Sequence, residues 1–75
     1  MSITYKAVSA ARQEGFYVEI RQGKAFGGFL KVRQVPDDLV YLLKRGRGAM
    51  DSCECKTREE AQLLARRMTE KAKLL

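Results

Sequence analysis

Thr57-Arg58-Glu59-Glu60 lies in the last third of this 75-residue chain, and its reading decides the fold. A threonine followed three positions later by a glutamate is a capping box. The hydroxyl accepts from the backbone N–H of Glu60, and the Glu60 carboxylate accepts from the N–H of Thr57. The pattern predicts a helix over about 57–73, and the residues behind it agree. Ala61, Leu64, Ala65, Met68, Ala72 and Leu75 recur at helical spacing as one apolar stripe, while Arg58, Gln62, Arg66, Arg67, Glu70 and Lys73 fall largely elsewhere. Glu59 and Glu60 sit at the positive end of the helix dipole, and Lys71 and Lys73 at the negative end. A helix with a single apolar stripe needs a surface to cover, and the first half of the chain supplies strands.

Phe16-Tyr17-Val18-Glu19-Ile20-Arg21 alternates strictly, with Phe16, Val18 and Ile20 on one face and Tyr17, Glu19 and Arg21 on the other. In Phe29-Leu30-Lys31-Val32-Arg33, Leu30 and Val32 share a face opposite Phe29, Lys31 and Arg33. These runs pair as a hairpin through a connection from Gln22 to Gly28 that exceeds a tight two-residue turn; its glycines, Lys24 and Phe26 read as a mobile, exposed loop. The run from Ile3 to Val8 alternates too, and Gln13-Glu14-Gly15 provides a turn before Phe16. Pro36 to Lys44 reads two ways: a proline followed by acids suits a helix start and Gly46 a helix end, whereas Leu39-Val40-Tyr41 suits a strand. The strand is favoured, because it completes a sheet for the helix to cover. Asp51 to Lys56 adds a short edge strand. The expected fold is α+β, an antiparallel sheet of three to five strands with the C-terminal helix on one face, in a single domain spanning 1–75.

A domain of this size buries roughly 60–65% of the surface its unfolded chain exposes, so its core is thin and a homodimer would add useful burial. The opening Met1–Lys6 lacks an apolar run before a small-residue cleavage site, and no stretch approaches the roughly 20 apolar residues of a membrane span. The expectation is a cytoplasmic protein with no membrane role. Cys53 and Cys55 share a face of an extended segment, and at this spacing they read as buried, reduced, structural thiols. Two thiols and no histidine fall short of the four ligands of a zinc site, so neither a metal nor a cofactor is expected.

Charge is distributed unevenly. Residues 1–50 carry nine Lys/Arg against four Asp/Glu, and residues 51–75 carry six against five. The excess favours an anionic partner. Its densest part is Lys44-Arg45-Gly46-Arg47-Gly48, where glycines permit close approach and arginines offer two-pronged phosphate contacts. If Val18, Ile20, Leu30 and Val32 point towards the helix, the open face displays Tyr17, Arg21, Phe29, Lys31 and Arg33, with Tyr41 and Arg45 beside them and Lys24 in the adjoining loop. Rings can stack on bases while cations neutralise phosphates. The expected function is therefore a small non-enzymatic module that binds DNA or RNA, with Tyr17, Arg21, Lys24, Phe29, Lys31, Arg33, Lys44, Arg45 and Arg47 as its contacts. The rival is a protein-interaction module, such as a phage or mobile-element inhibitor or adaptor, whose basic face meets an acidic protein surface.

Without histidine there is no ordinary Ser/His or Cys/His nucleophile pair, so no catalytic residue is assigned. Pro36-Asp37 with Glu54-Cys55-Lys56 resembles the proline-aspartate and acid-x-lysine signature of restriction-type nucleases. That resemblance would make Asp37 and Glu54 metal ligands and Lys56 their electrostatic partner, but the chain is too short for that family's core. Cys55-Lys56-Thr57-Arg58-Glu59-Glu60-Ala61 is similar to the strand-to-helix junction of the small DNA-binding modules at the front of tyrosine recombinases. Capping chemistry alone produces most of that pattern, and it assigns no family. Replacing Arg45 and Arg47 together is expected to weaken nucleic-acid binding and to flatten the log-log salt dependence by about 1.8, measured by oligonucleotide titration at several salt concentrations.

Overall fold

The computed structural model describes residues 3–9, 15–43 and 53–74. An antiparallel sheet of four strands carries the C-terminal helix on one face, the α+β arrangement expected. The strands are β1 (Ile3–Ser9), β2 (Phe16–Gln22), β3 (Ala25–Phe29) and β4 (Glu54–Cys55), and the helix α1 is Arg58–Lys73. β1 pairs with β2 along its whole length, from Ile3 opposite Gln22 to Ser9 opposite Phe16. The other flank of β2 is shared: β3 takes Glu19 to Gln22, and β4 takes Phe16 and Tyr17. Leu30 joins the two, since its N–H donates to the Val18 carbonyl at 2.9 Å and its own carbonyl accepts from Cys53 N–H at 2.8 Å. The chain thus leaves this strand line at Leu30 and rejoins it at Cys53.

Alternation along β2 sends Val18 fully into the core, where it meets Leu30, Cys53 and Cys55 from the sheet and Ala61, Leu64, Ala65 and Met68 from α1. Both halves of the capping box form, with Thr57 Oγ1 accepting from Glu60 N–H at 3.1 Å and Glu60 Oε2 accepting from Thr57 N–H at 3.2 Å. α1 packs chiefly on β1 and also closes its outer edge. Thr69 Oγ1 accepts from Tyr5 N–H at 3.0 Å and donates to the Ala65 carbonyl at 2.8 Å.

Three expectations about the middle of the chain are corrected. The Pro36 segment is not a strand: Asp37–Leu42 is a 3-10 helix started by Pro36, with Asp37 and Asp38 in its first turn. Its period of three superimposes Leu39 and Leu42, both buried, and leaves Val40 and Tyr41 exposed. A strand would have put Leu39 and Tyr41 on one face, so burial of the two leucines selects the helix. The connection after β2 is not a long loop but the two residues Gly23 and Lys24, with Gly23 at a φ of 62° that favours glycine. The third strand accordingly starts earlier and ends at Phe29. Val32 to Gln34 form a short 3-10 turn in which Gln34 Oε1 accepts from Lys31 N–H at 3.0 Å, and Val32 stays 38% exposed rather than facing the helix.

Thr69→Val keeps the side-chain shape but removes the acceptor for the partly buried Tyr5 N–H. A loss of about 1–2 kcal/mol is expected, read from urea unfolding followed by circular dichroism. An unchanged midpoint would show that the helix does not hold the β1 edge through this bond.

Candidate nucleic-acid interface

The sheet face turned away from α1 is built by register. Residues directly opposite one another share a face, so Lys6, Glu19 and Phe29 align across it, as do Thr4, Arg21 and Phe26, and Val8, Tyr17 and Glu54. One irregularity completes it. Phe26 and Phe29 are three apart and in a regular strand would point to opposite faces. Ile20 lies opposite Gly28 and Arg21 opposite Phe26, so Gly27 is an extra residue in β3, a bulge that returns both rings to the open face.

The three rings form a row. Tyr17 and Phe29 have centroids 6.0 Å apart with planes tilted by 56°, and Phe26 meets Phe29 edge-on at 5.4 Å and 72°. The Arg21 guanidinium lies 5.9 Å from the centre of Phe26, while its Nε donates to Glu19 Oε1 at 2.5 Å and its Nη1 to the Lys24 carbonyl at 3.3 Å. Phe26 and Phe29 are 55% and 45% exposed, whereas Glu19 and Glu54 are each only 8% exposed. Gly15 leaves room for Glu54: a Cβ there would stand 2.5 Å from Glu54 Oε1, and its φ of 141° itself favours glycine.

Of the nine residues expected to make contacts, the structure brings Tyr17, Arg21 and Phe29 onto this face and Lys24 to its rim, in the turn between β2 and β3. Lys31 and Arg33 do not stand on the face as expected, because β3 ends at Phe29; both are exposed in the chain that leaves the sheet. Lys44, Arg45 and Arg47 lie outside the described residues. Phe26, absent from the expected set, belongs to the row of rings; the adjacent Gly27-Gly28 pair was the available signal for a bulge.

Away from this face, a concavity of about 410 Å³ lies between the 3-10 helix and the end of α1, with Asp38, Tyr41, Arg67, Glu70 and Lys71 at its border. Lys71 Nζ lies 3.5 Å from Asp38 Oδ2 across it, so part of its charge is already paired. Cys53 and Cys55 are both free thiols on the core side of the sheet. Burial pushes Cys53 up to about 11, and burial reinforced by the neighbouring Cys53, Glu60 and Glu54 pushes Cys55 up to about 12. Such thiols are protonated and shielded at neutral pH, the opposite of an activated nucleophile. Comparison with protein-family models, with curated proteins and with solved structures returned no match.

Burial of the two thiols makes the stability of the fold depend on pH in the alkaline range. Each ionises more readily in the unfolded chain, near its ordinary value of 9.0, than in the fold. Stability should therefore fall as pH rises above about 9, by at most about 1.4 kcal/mol per pH unit per thiol, until the folded values are reached. Urea midpoints between pH 7 and 10.5, compared with those of a Cys53→Ala/Cys55→Ala variant, check this. Equal pH dependence in both proteins would contradict it.

Proposed function

We propose that the protein is a small non-enzymatic nucleic-acid-binding module whose contact surface is the open sheet face. The observation that carries this reading is the row Tyr17–Phe29–Phe26 with Arg21 over its end, on the one sheet face that α1 leaves uncovered. Exposed rings on a sheet are costly to leave in water, and they match the flat apolar faces of bases, each stacked base contributing about 1–3 kcal/mol. The formal charge of +6 supports an anionic partner, with Lys24 just before β3, Lys31 and Arg33 exposed in the chain after it, and the basic 44–48 segment following in sequence.

Fluorescence anisotropy with labelled DNA and RNA oligonucleotides is the direct test. Binding should be present at about 50 mM salt and fall steeply towards 200 mM, because each neutralised phosphate releases counterions. Lys24→Glu combined with Lys31→Glu should weaken binding at least tenfold at the lower salt, through two lost phosphate contacts and the repulsion of two added carboxylates. No binding of either nucleic acid at 50 mM salt rejects the proposal, and a stoichiometric acidic protein retained after nuclease treatment would replace it with the interaction-module reading.

A further inference from the structure

We infer that the open face receives the unpaired bases of a single strand and rejects duplex, an inference that rests on the nucleic-acid reading and specifies its ligand. Tyr17 and Glu19 on β2, with Phe26, Phe29 and Glu54 on the strand line beside it, make a band of rings and carboxylates along the face. Among the described strand residues of the face, two cations, Lys6 and Arg21, stand against the two carboxylates, so these residues supply no net positive charge. Arg21 is further engaged by Glu19 and the Lys24 carbonyl. A duplex presents its phosphates outward and hides its base faces, so docking it here would press phosphates onto rings and buried acids. A single strand can turn its bases inward and keep its phosphates outside.

The rim fits that second arrangement. Lys24 precedes β3 and Lys31 follows it, both exposed, so a cation stands at each end of the outer strand that carries Phe26 and Phe29. Seven residue steps separate them, roughly 20 Å of extended chain shortened slightly by the bulge, a span suited to a few nucleotides of extended backbone. Between the rings, Gly27 and Gly28 add no side chain to the edge, and the space where a Gly28 Cβ would project is open to beyond 4 Å. The strand's backbone is therefore placed along β3, with phosphates near Lys24 and Lys31 and bases turned onto Phe26, Phe29 and Tyr17.

The test compares three labelled 12-nucleotide probes at about 50 mM salt: a mixed-sequence single strand, the same sequence as a blunt duplex, and an abasic strand of equal length. The intact single strand should bind about tenfold or more tightly than either of the others, and Phe26→Ala with Phe29→Ala should reduce its affinity by a similar factor. Both rings lie outside the buried core, so the far-UV circular dichroism should be retained, while the urea midpoint falls modestly with the lost Phe26–Phe29 and Arg21–Phe26 contacts. Duplex or abasic probe binding as tightly as the single strand, or a single-strand affinity indifferent to loss of both rings in a folded variant, overturns the inference while leaving nucleic-acid binding in place. Failure of all three probes removes the nucleic-acid reading and this inference with it.

Discussion

Strand β2 has two flanks, and β1 occupies the whole of one. Everything that follows Gln22 must use the other, which is too long for β3 alone once the Gly23-Lys24 turn has set its start. β3 reaches back only as far as Glu19, and Leu30 covers Val18 with one hydrogen bond. The remaining backbone groups at Phe16 and Tyr17 would face a gap, and buried polar backbone is rarely left unpaired. β4 fills it after an interval of 22 residues between Leu30 and Cys53, and the carbonyl of Leu30 accepts from Cys53 to seal the join. The excursion between Leu30 and Cys53 is thus a consequence of completing one strand line from two pieces of sequence.

That constraint also fixes the core. Because Cys53 and Cys55 continue the line begun by β3, they stand beside Val18 and Leu30 where α1 crosses the sheet, and small apolar side chains suit the close approach of Ala61, Leu64 and Ala65. The 3-10 helix contributes Leu39 and Leu42 to the same cluster, so the excursion anchors itself where its chain leaves the sheet. Eleven apolar residues are buried among those described, a thin core, which makes the single bond from Tyr5 N–H to Thr69 at the sheet edge matter more than it would in a larger protein.

The elements with strong local codes were legible in the sequence. Thr57 and Glu60 announce α1 through reciprocal backbone bonds, which need no tertiary partner, and β2 shows its faces through strict alternation. The misread stretches are those where a short period competes with a longer context. Leu39 and Leu42 are equally compatible with several local structures until something buries both at once, and only the finished sheet does that. The bulge at Gly27 erased the parity by which Phe26 would have been assigned to the core side, and the two-residue Gly23-Lys24 turn moved the start of the third strand towards the N-terminus. Lys31 and Arg33 consequently lost their expected places on the face, while Phe26 gained one. Of the candidate surface, Tyr17, Arg21 and Phe29 were readable from alternation alone; the basic 44–48 segment was readable as charge but falls outside the described residues.

Net charge and local charge then part company. A chain with a formal charge of +6 has, on its exposed sheet face, two nearly buried carboxylates. Desolvating an anion is costly unless it is paired, and Glu19 is paired by Arg21 through the Nε–Oε1 contact. The same contact holds the guanidinium against Phe26, so Arg21 serves the platform before it can serve a phosphate. A positive total therefore does not make this face a phosphate-binding surface; its described strand residues balance in charge, and the exposed Lys24 and Lys31 stand at the two ends of β3. Rings at the middle and ammonium groups at the ends of β3 favour a ligand whose own apolar faces and charges are separated in the same order, which for nucleic acids is a strand with its bases unpaired.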